Sequence, residues 1–313
     1  MAEVVSRTES LCPHCLRRVP AERVAVGDEL FLRRSCPEHG EVEPVLLWRN
    51  RTIPYSLWSR PGDPSALPPP DPPGDCPRLC GICAGHRQST CSAIVEITAR
   101  CDLRCPVCFA ASGPAAGPDP DLAGLERLLG RTFARAGNCP LQLSGGEPTL
   151  RDDLPLIVRR AHEIGFDHVQ VNTNGLRLGR DPEFARALAD AGVTDFFLQF
   201  DGVSDDVFRR LRGAPLLDLK LGALERCREL QVGVILVPTL VKGVNDAQIG
   251  ELIEFAKAWM PVVKGIHFQP QAWLGRYPHS PRNNDRVLIP DILEAIERQT
   301  GGEIETGNFI PPG

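Results

Sequence analysis

The sequence predicts an α/β fold, a (βα)6 partial TIM barrel with a small Cys-rich metal-binding module at its N-terminal end. Three observations predict it. From residue 93 onward, six short apolar or β-branched segments alternate with amphipathic ones. A proline-rich run, Pro61 to Asp75, divides the chain and suits neither helix nor central strand. Cysteines crowd the chain on both sides of that run.

Taken in order, residues 1–60 read as a small zinc- or iron-binding module with short strands such as Glu41 to Trp48. Residues 61–92 read as a Pro-rich linker and a Cys-rich auxiliary metal segment, and residues 93–313 as the barrel. Strands are expected at 93–98, 140–144, 168–173, 195–200, 232–237 and 264–269. Helices are expected near 120–136, 152–164, 182–191, 216–230, 246–259 and 290–299. Runs such as Phe196-Phe197-Leu198 and Val234-Ile235-Leu236-Val237 are continuously apolar, as strands covered by helices are. Asp181-Pro182 supplies a helix N-cap and a first-turn proline. Strict βα alternation implies a parallel sheet.

Composition bounds the function. The chain has 313 residues, enough for one barrel-sized domain and a small appendage. Hydrophobic content of 42% and charged content of 24% are ordinary for a globular protein. A net charge of −5 argues against nucleic acid as a partner. Met1 to Ser10 carries Glu3, Arg7 and Glu9 and lacks the apolar core of a signal peptide. No apolar run reaches the roughly 20 residues of a membrane span, so a cytoplasmic protein is expected.

Twelve cysteines in a cytoplasmic chain point to metal binding rather than disulfides. Cys12, Cys15, Cys36 and His39 form C-x2-C-x20-C-x2-H, spacing that suits a tetrahedral zinc or rubredoxin-like iron site. Cys76, Cys80, Cys83 and Cys91 can hold an auxiliary cluster or a mononuclear metal. Cys139 and Cys227 stand alone and read as buried small apolar residues.

The third group, Cys101, Cys105 and Cys108, follows the first barrel strand as C-x3-C-x2-C. Three thiolates in one loop can hold three corners of an iron–sulfur cluster and leave the fourth iron open. The run alone also fits a zinc knuckle short of one ligand. Loops after the strands of a parallel barrel collect function, and each later loop here carries polar residues. Ser144-Gly145-Gly146-Glu147-Pro148 follows the second strand, where glycines admit close backbone approach and Glu147 offers a carboxylate to an ammonium group. Asn172-Thr173-Asn174-Gly175 follows the third, with amides and a hydroxyl suited to a ribose. Asp201 follows the fourth as a cap or a ligand, Asn245 lies in the loop after the fifth, and His267 and Gln269 follow the sixth, before Gly275-Arg276-Tyr277.

With these motifs in place, the chain resembles the radical S-adenosylmethionine (radical SAM) superfamily. C-P-x-x-C-G-I-C, E-I-T-x-R-C-D-L-R-C-P-V-C-F, L-Q-F-D-G, L-R-G, V-P-T-L-V-K-G-V-N-D, F-Q-P and G-R-Y narrow the resemblance. They are similar to the branch of archaeal tetraether lipid synthase and pterin-methylating proteins. The resemblance implies a [4Fe–4S] cluster on Cys101, Cys105 and Cys108 and SAM as cofactor. It implies that Gly145, Gly146 and Glu147 hold the methionine end of SAM and that Asn172 and Asn174 hold its ribose, with Asp201, Asn245 and Gln269 also lining the cofactor. An aromatic usually precedes the third cysteine; here that residue is Val107, with Phe109 one place beyond the cysteine. Relatives in this branch continue past the equivalent of Phe309 to Gly313 with more cysteines, so the chain is expected to be a short form or a truncated one.

The function so implied is reductive cleavage of SAM and hydrogen abstraction from an unactivated C–H. Carbon–carbon bond formation, by alkyl coupling or methylation on a lipid or small molecule, is the expected outcome, with an electron donor such as flavodoxin or ferredoxin. The rivals are a non-catalytic iron–sulfur electron carrier and one subunit of a two-component complex.

Overall fold

The computed structural model describes residues 2–58, 90–114, 117–280 and 282–311. They fall into two compact units, one of residues 1–89 with 282–313 and one of residues 90–281.

The first unit holds an antiparallel meander of β1 (Ala2–Leu11), β2 (Arg18–Val26), β3 (Glu29–Cys36) and β4 (Gly40–Arg49). Gly27 turns β2 into β3 at φ 62°, at the first central position of a two-residue hairpin loop, where a type II′ turn takes glycine. Val19, Ala21, Val24, Leu30, Val42, Leu46 and Trp48 are buried as its core. The short helix α1 (Tyr55–Trp58) closes over Trp48, whose indole donates to the Ile53 carbonyl at 2.7 Å.

The second unit is built on six parallel strands: β5 (Ala93–Thr98), β6 (Leu141–Gly145), β7 (Val169–Thr173), β8 (Asp195–Gln199), β9 (Gly233–Val237) and β11 (Val263–Ile266). They pair in chain order, and the end strands β5 and β11 do not pair with each other, so the barrel is partial. Two-residue strands β10 (Thr239–Leu240) and β12 (Gln269–Pro270) extend β9 and β11 and pair with each other. Between the strands run α2 (Leu122–Ala136), α3 (Leu154–Ile164), α4 (Leu176–Arg180), α5 (Pro182–Asp190), α6 (Asp205–Arg212), α7 (Leu217–Leu230) and α8 (Ile249–Ala258). Asp181 caps α5 by accepting from the Phe184 amide at 3.0 Å, as its sequence indicates.

The two faces of this sheet differ. Leu141, Leu143, Val169, Val171, Phe196, Leu198, Val234 and Leu236 are buried in one cluster with Leu125, Leu129, Ile157, Val158, Leu188, Leu224 and Leu252 of the helices. Each such side chain contributes about 1.5–3 kcal/mol. The alternate residues Gln142, Asn172, Phe197, Gln199 and Ile235 are half-buried, and Glu96 is exposed. That second face is mostly polar.

Each expected barrel strand and helix is present, with ends shifted by a few residues at most. The boundary at the C-terminal end differs from the expected one. Residues 282–311 pack with the first unit rather than with the barrel. Helix α9 (Ile289–Gln299) presents Asp291 to the buried Arg49 of β4, Thr52 donates to Glu294 at 2.8 Å, and the Leu46 amide donates to Asn283 Oδ1 at 2.9 Å. A helical pattern cannot reveal which core its apolar stripe enters.

Candidate active site and metal centre

In the first unit, the loops after β1 and β3 bring Cys12, Cys15, Cys36 and His39 together, with one ligand atom of each within 4.8 Å of the others. Cys15 and Cys36 sulfurs lie 3.8 Å apart, and His39 Nδ1 lies 3.7 Å from Cys12 and 3.5 Å from Cys36. A tetrahedral zinc with Zn–S of about 2.3 Å and Zn–N of about 2.0 Å separates its ligands by about 3.8 Å and about 3.5 Å. The donor set fits such an ion.

In the second unit, the loops after β5, β6 and β7 meet. Gly146 donates its amide to the Thr98 carbonyl at 2.8 Å, and Glu147 donates its own to Arg100 at 2.7 Å. A Cβ on Gly145 would sit 2.0 Å from the Thr98 oxygen, and one on Gly146 would sit 2.1 Å from that of Arg100. Two glycines are therefore required where the loop after β6 is stitched to the start of the cysteine loop.

Glu147 is 1% exposed. Its Oε1 accepts from Thr149 N at 3.1 Å, Thr149 Oγ1 at 2.6 Å and Thr173 Oγ1 at 2.6 Å, and its Oε2 accepts from Asn174 N at 2.6 Å. Burial raises its pKa above the usual carboxylate range, and these four hydrogen bonds oppose the rise. The sequence offered this carboxylate to a ligand's ammonium group. In the structure it joins the loops after β6 and β7.

Asn174 continues the chain of contacts, donating from Nδ2 to Asp102 in the cysteine loop at 2.7 Å. Asn172 lies on the polar face and donates to Gln142 at 3.1 Å, while its Oδ1 is buried without a partner. An unmet acceptor there fits a hydroxyl-bearing ligand such as a ribose.

Asp201 and Asn245 are engaged within the protein. Asp201 is 0% exposed and grips Arg212 of α6 through two bonds of 2.6 Å, from Nε and from Nη2, and it accepts from Thr239 N at 3.1 Å. Asn245, also 0% exposed, donates to the Asp201 and Thr239 carbonyls at 2.8 and 2.9 Å and accepts from Val241 N at 2.9 Å. Their polar atoms hold the loops after β8 and β9 together. Gln269 is half-buried, and its backbone joins β12 to Pro238 at 2.9 Å.

Two cations escaped the sequence reading. Arg212 lies beside Cys105 and donates to the Val107 carbonyl at 3.2 Å. Lys220 of α7 is 0% exposed and donates to the Asn174 carbonyl and, at 2.9 Å, to the Gln199 carbonyl. Desolvation lowers its pKa to about 8. The L-R-G motif and the scarcity of lysine were the available signals, but neither names a partner.

Cys105 is buried, and Cys101 and Cys108 are half-buried. Burial pushes the Cys101 thiol up to about 12, so metal binding there must displace a proton. Among the described residues, only the Cys12 set draws three or more ligand atoms within 4.8 Å of one another. Cys101, Cys105 and Cys108 share one loop, a donor set of three thiols that fits a cluster with one open iron. Val107 is buried against Val207 and Leu211, while Phe109 is 63% exposed. Cys139 and Cys227 are buried as expected. Cys91 is exposed, and Cys76, Cys80 and Cys83 lie outside the described residues. No helix among the described residues is long and apolar enough to cross a membrane.

Comparison with known proteins bears on both units. The HMPTM N-terminal zinc ribbon domain matches residues 4–49. The chain is 36% identical over 310 residues to a 7,8-dihydro-6-hydroxymethylpterin dimethyltransferase of Methanocaldococcus jannaschii, covering 97% of this chain and 61% of that protein. It is 32% identical over 207 residues to a GTP 3',8-cyclase of Marinobacter nauticus, covering 65% of this chain and 61% of that one. The chain thus spans about three fifths of the length of these curated relatives. Streptococcus suis SuiB bound to its precursor peptide SuiA aligns with a TM-score of 0.56 at 17% identity, over 72% of this chain and 49% of SuiB. Native anSMEcpe with bound AdoMet aligns with a TM-score of 0.52 at 17% identity, over 68% of this chain and 63% of that one. Likeness at that identity shows the fold. The Radical SAM superfamily model matches residues 95–256, from within β5 to within α8. Because those are the strands and loops that build the site, and more than half of the chain, this protein belongs to the radical SAM superfamily.

Proposed function

We propose that the chain is a radical SAM enzyme that methylates, or otherwise forms a carbon–carbon bond on, a small pterin-like heterocycle. The observation that carries the proposal is the similarity to a pterin dimethyltransferase through both units, over 97% of this chain. The polar face of the barrel sheet supports a flat, hydrogen-bonding substrate. Gln142 and Asn172 supply amides there, and Phe197 lies 5.2 Å from the His267 ring at a tilt of 57°, adding aromatic surface to the same unit.

When bound, the cluster and SAM would supply radical chemistry able to take hydrogen from an unactivated C–H. The residues of this chain do the positioning. Cys101, Cys105 and Cys108 would hold the cluster. Gly145 and Gly146 allow the backbone after β6 to approach the start of the cysteine loop, and Asn172 would offer its free Oδ1 to the ribose. Glu147 and Asn174 keep the loops after β6 and β7 in register with the cysteine loop. A flavodoxin- or ferredoxin-type protein supplies the electron.

The test uses anaerobically reconstituted protein with a strong reductant, 7,8-dihydro-6-hydroxymethylpterin, SAM as radical source and a one-carbon donor, either SAM itself or a reduced folate. Mass spectrometry should find the pterin carrying one or two added methyl groups. Abundant 5'-deoxyadenosine with an unaltered pterin would overturn the substrate assignment.

A further inference from the structure

Gly275 and Arg276 meet the cysteine loop directly. Cys108 and Arg276 form a two-way antiparallel bridge, Cys108 N to Arg276 O at 2.9 Å and Arg276 N to Cys108 O at 2.8 Å. The Arg276 guanidinium then reaches along the same loop. Nε donates to the Cys105 carbonyl at 2.6 Å, Nη2 to the Ser112 carbonyl at 2.9 Å, and Nη1 lies 3.5 Å from the Ala111 carbonyl. Ala111 holds φ 51°, a left-handed conformation uncommon for alanine, and the clamp bears on the loop where that strain sits. Gly275 is required for the approach, since a Cβ there would stand 2.2 Å from the Phe109 carbonyl and 2.5 Å from that of Cys108.

We propose that Arg276 is a positioning residue for the cluster, clamping the loop from Cys105 to Ser112 through its guanidinium and its backbone bridge to Cys108, and placing a positive charge against the Cys105 carbonyl. This rests on the reading of Cys101, Cys105 and Cys108 as cluster ligands. The physical grounds are two. Three separate guanidinium nitrogens face carbonyls of Cys105, Ala111 and Ser112, a spread that the single nitrogen of lysine does not reproduce. Among the described residues, the hydrogen-bond partners of the guanidinium are carbonyls, and no carboxylate neutralises it. An uncompensated cation near a cluster favours its reduced, more negative state, because net charge and hydrogen bonding set cluster potentials.

The experiment compares the full chain with Arg276→Lys and Arg276→Met after identical anaerobic reconstitution. The cluster signal is defined as that absent from a Cys101→Ala, Cys105→Ala, Cys108→Ala variant. Readouts are iron and acid-labile sulfide per chain, the electron paramagnetic resonance spectrum of the reduced cluster, and its midpoint potential. The methionine variant should load less cluster, with an altered spectrum and a more negative potential. The lysine variant should recover the potential toward the parent while its spectrum stays altered. Loading, spectrum and potential identical to the parent in the methionine variant would overturn the proposal. Equal losses in the lysine and methionine variants would overturn the charge argument. A parent chain that forms no cluster would overturn both this proposal and the ligand reading beneath it.

Discussion

Asp201, Arg212 and Lys220 lie under the strand ends with 0%, 8% and 0% of their surface exposed. Three buried charges in one place are tolerated only when each finds partners, and the partners here are distant in sequence. Arg212 is 11 residues from Asp201, Thr239 is 38 away and Asn245 is 44 away. For that reason Asp201 and Asn245 look like ligands in the sequence, where a polar residue at a strand end and its buried counter-group cannot be paired. Asp201→Asn should strand the Arg212 charge and cost about 3–5 kcal/mol, read as a lower urea midpoint. An unchanged midpoint would refute the structural role. Lys220 gives a signed pH effect. Its folded pKa is lowered from 10.5 to about 8, so the unfolded chain binds the proton more tightly between those values. The penalty of the buried charge is complete below about pH 8 and is relieved as pH rises toward 10.5. Relative to Lys220→Met, the parent should therefore gain stability across that window in denaturant titrations. Comparing the two proteins cancels the titration of the buried thiols.

At the scale of elements, the barrel strands were legible because their apolar runs repeat with helical segments between them. The loops were legible because paired glycines and closely spaced cysteines at strand ends serve close backbone approach and metal ligation. Helices α4 and α6, of 5 and 8 residues, were not anticipated, since neither is long enough to establish a helical period. The meander of the first unit was legible only in part, its strands being interrupted by charged residues such as Glu22, Arg33 and Arg34. The metal quartet, by contrast, was complete in the sequence. Cys12, Cys15 and Cys36 contribute to the small core around Val19, so an ion there fastens two loops to the sheet. His39→Ala should lower the zinc content measured by elemental analysis and lower the melting temperature of the first unit. Parent-like zinc and melting would exclude His39 as a ligand.

At the scale of the whole molecule, the division of labour follows the chain only approximately. Residues 282–311 return to the first unit, and the barrel is complete by residue 281. The contacts of the site converge on one loop. The loops after β6 and β7, Arg212 of α6 and Arg276 all contact the segment that carries Cys101, Cys105 and Cys108. That convergence is what a site needs if its cofactors supply the chemistry and its side chains supply orientation. The most direct measurement is 5'-deoxyadenosine formation by anaerobically reconstituted protein with SAM and a strong reductant, beside the Cys101→Ala, Cys105→Ala, Cys108→Ala variant. Product from the parent and none from the variant is the predicted result. Equal product from both, or none from a parent shown to carry the cluster, would contradict it.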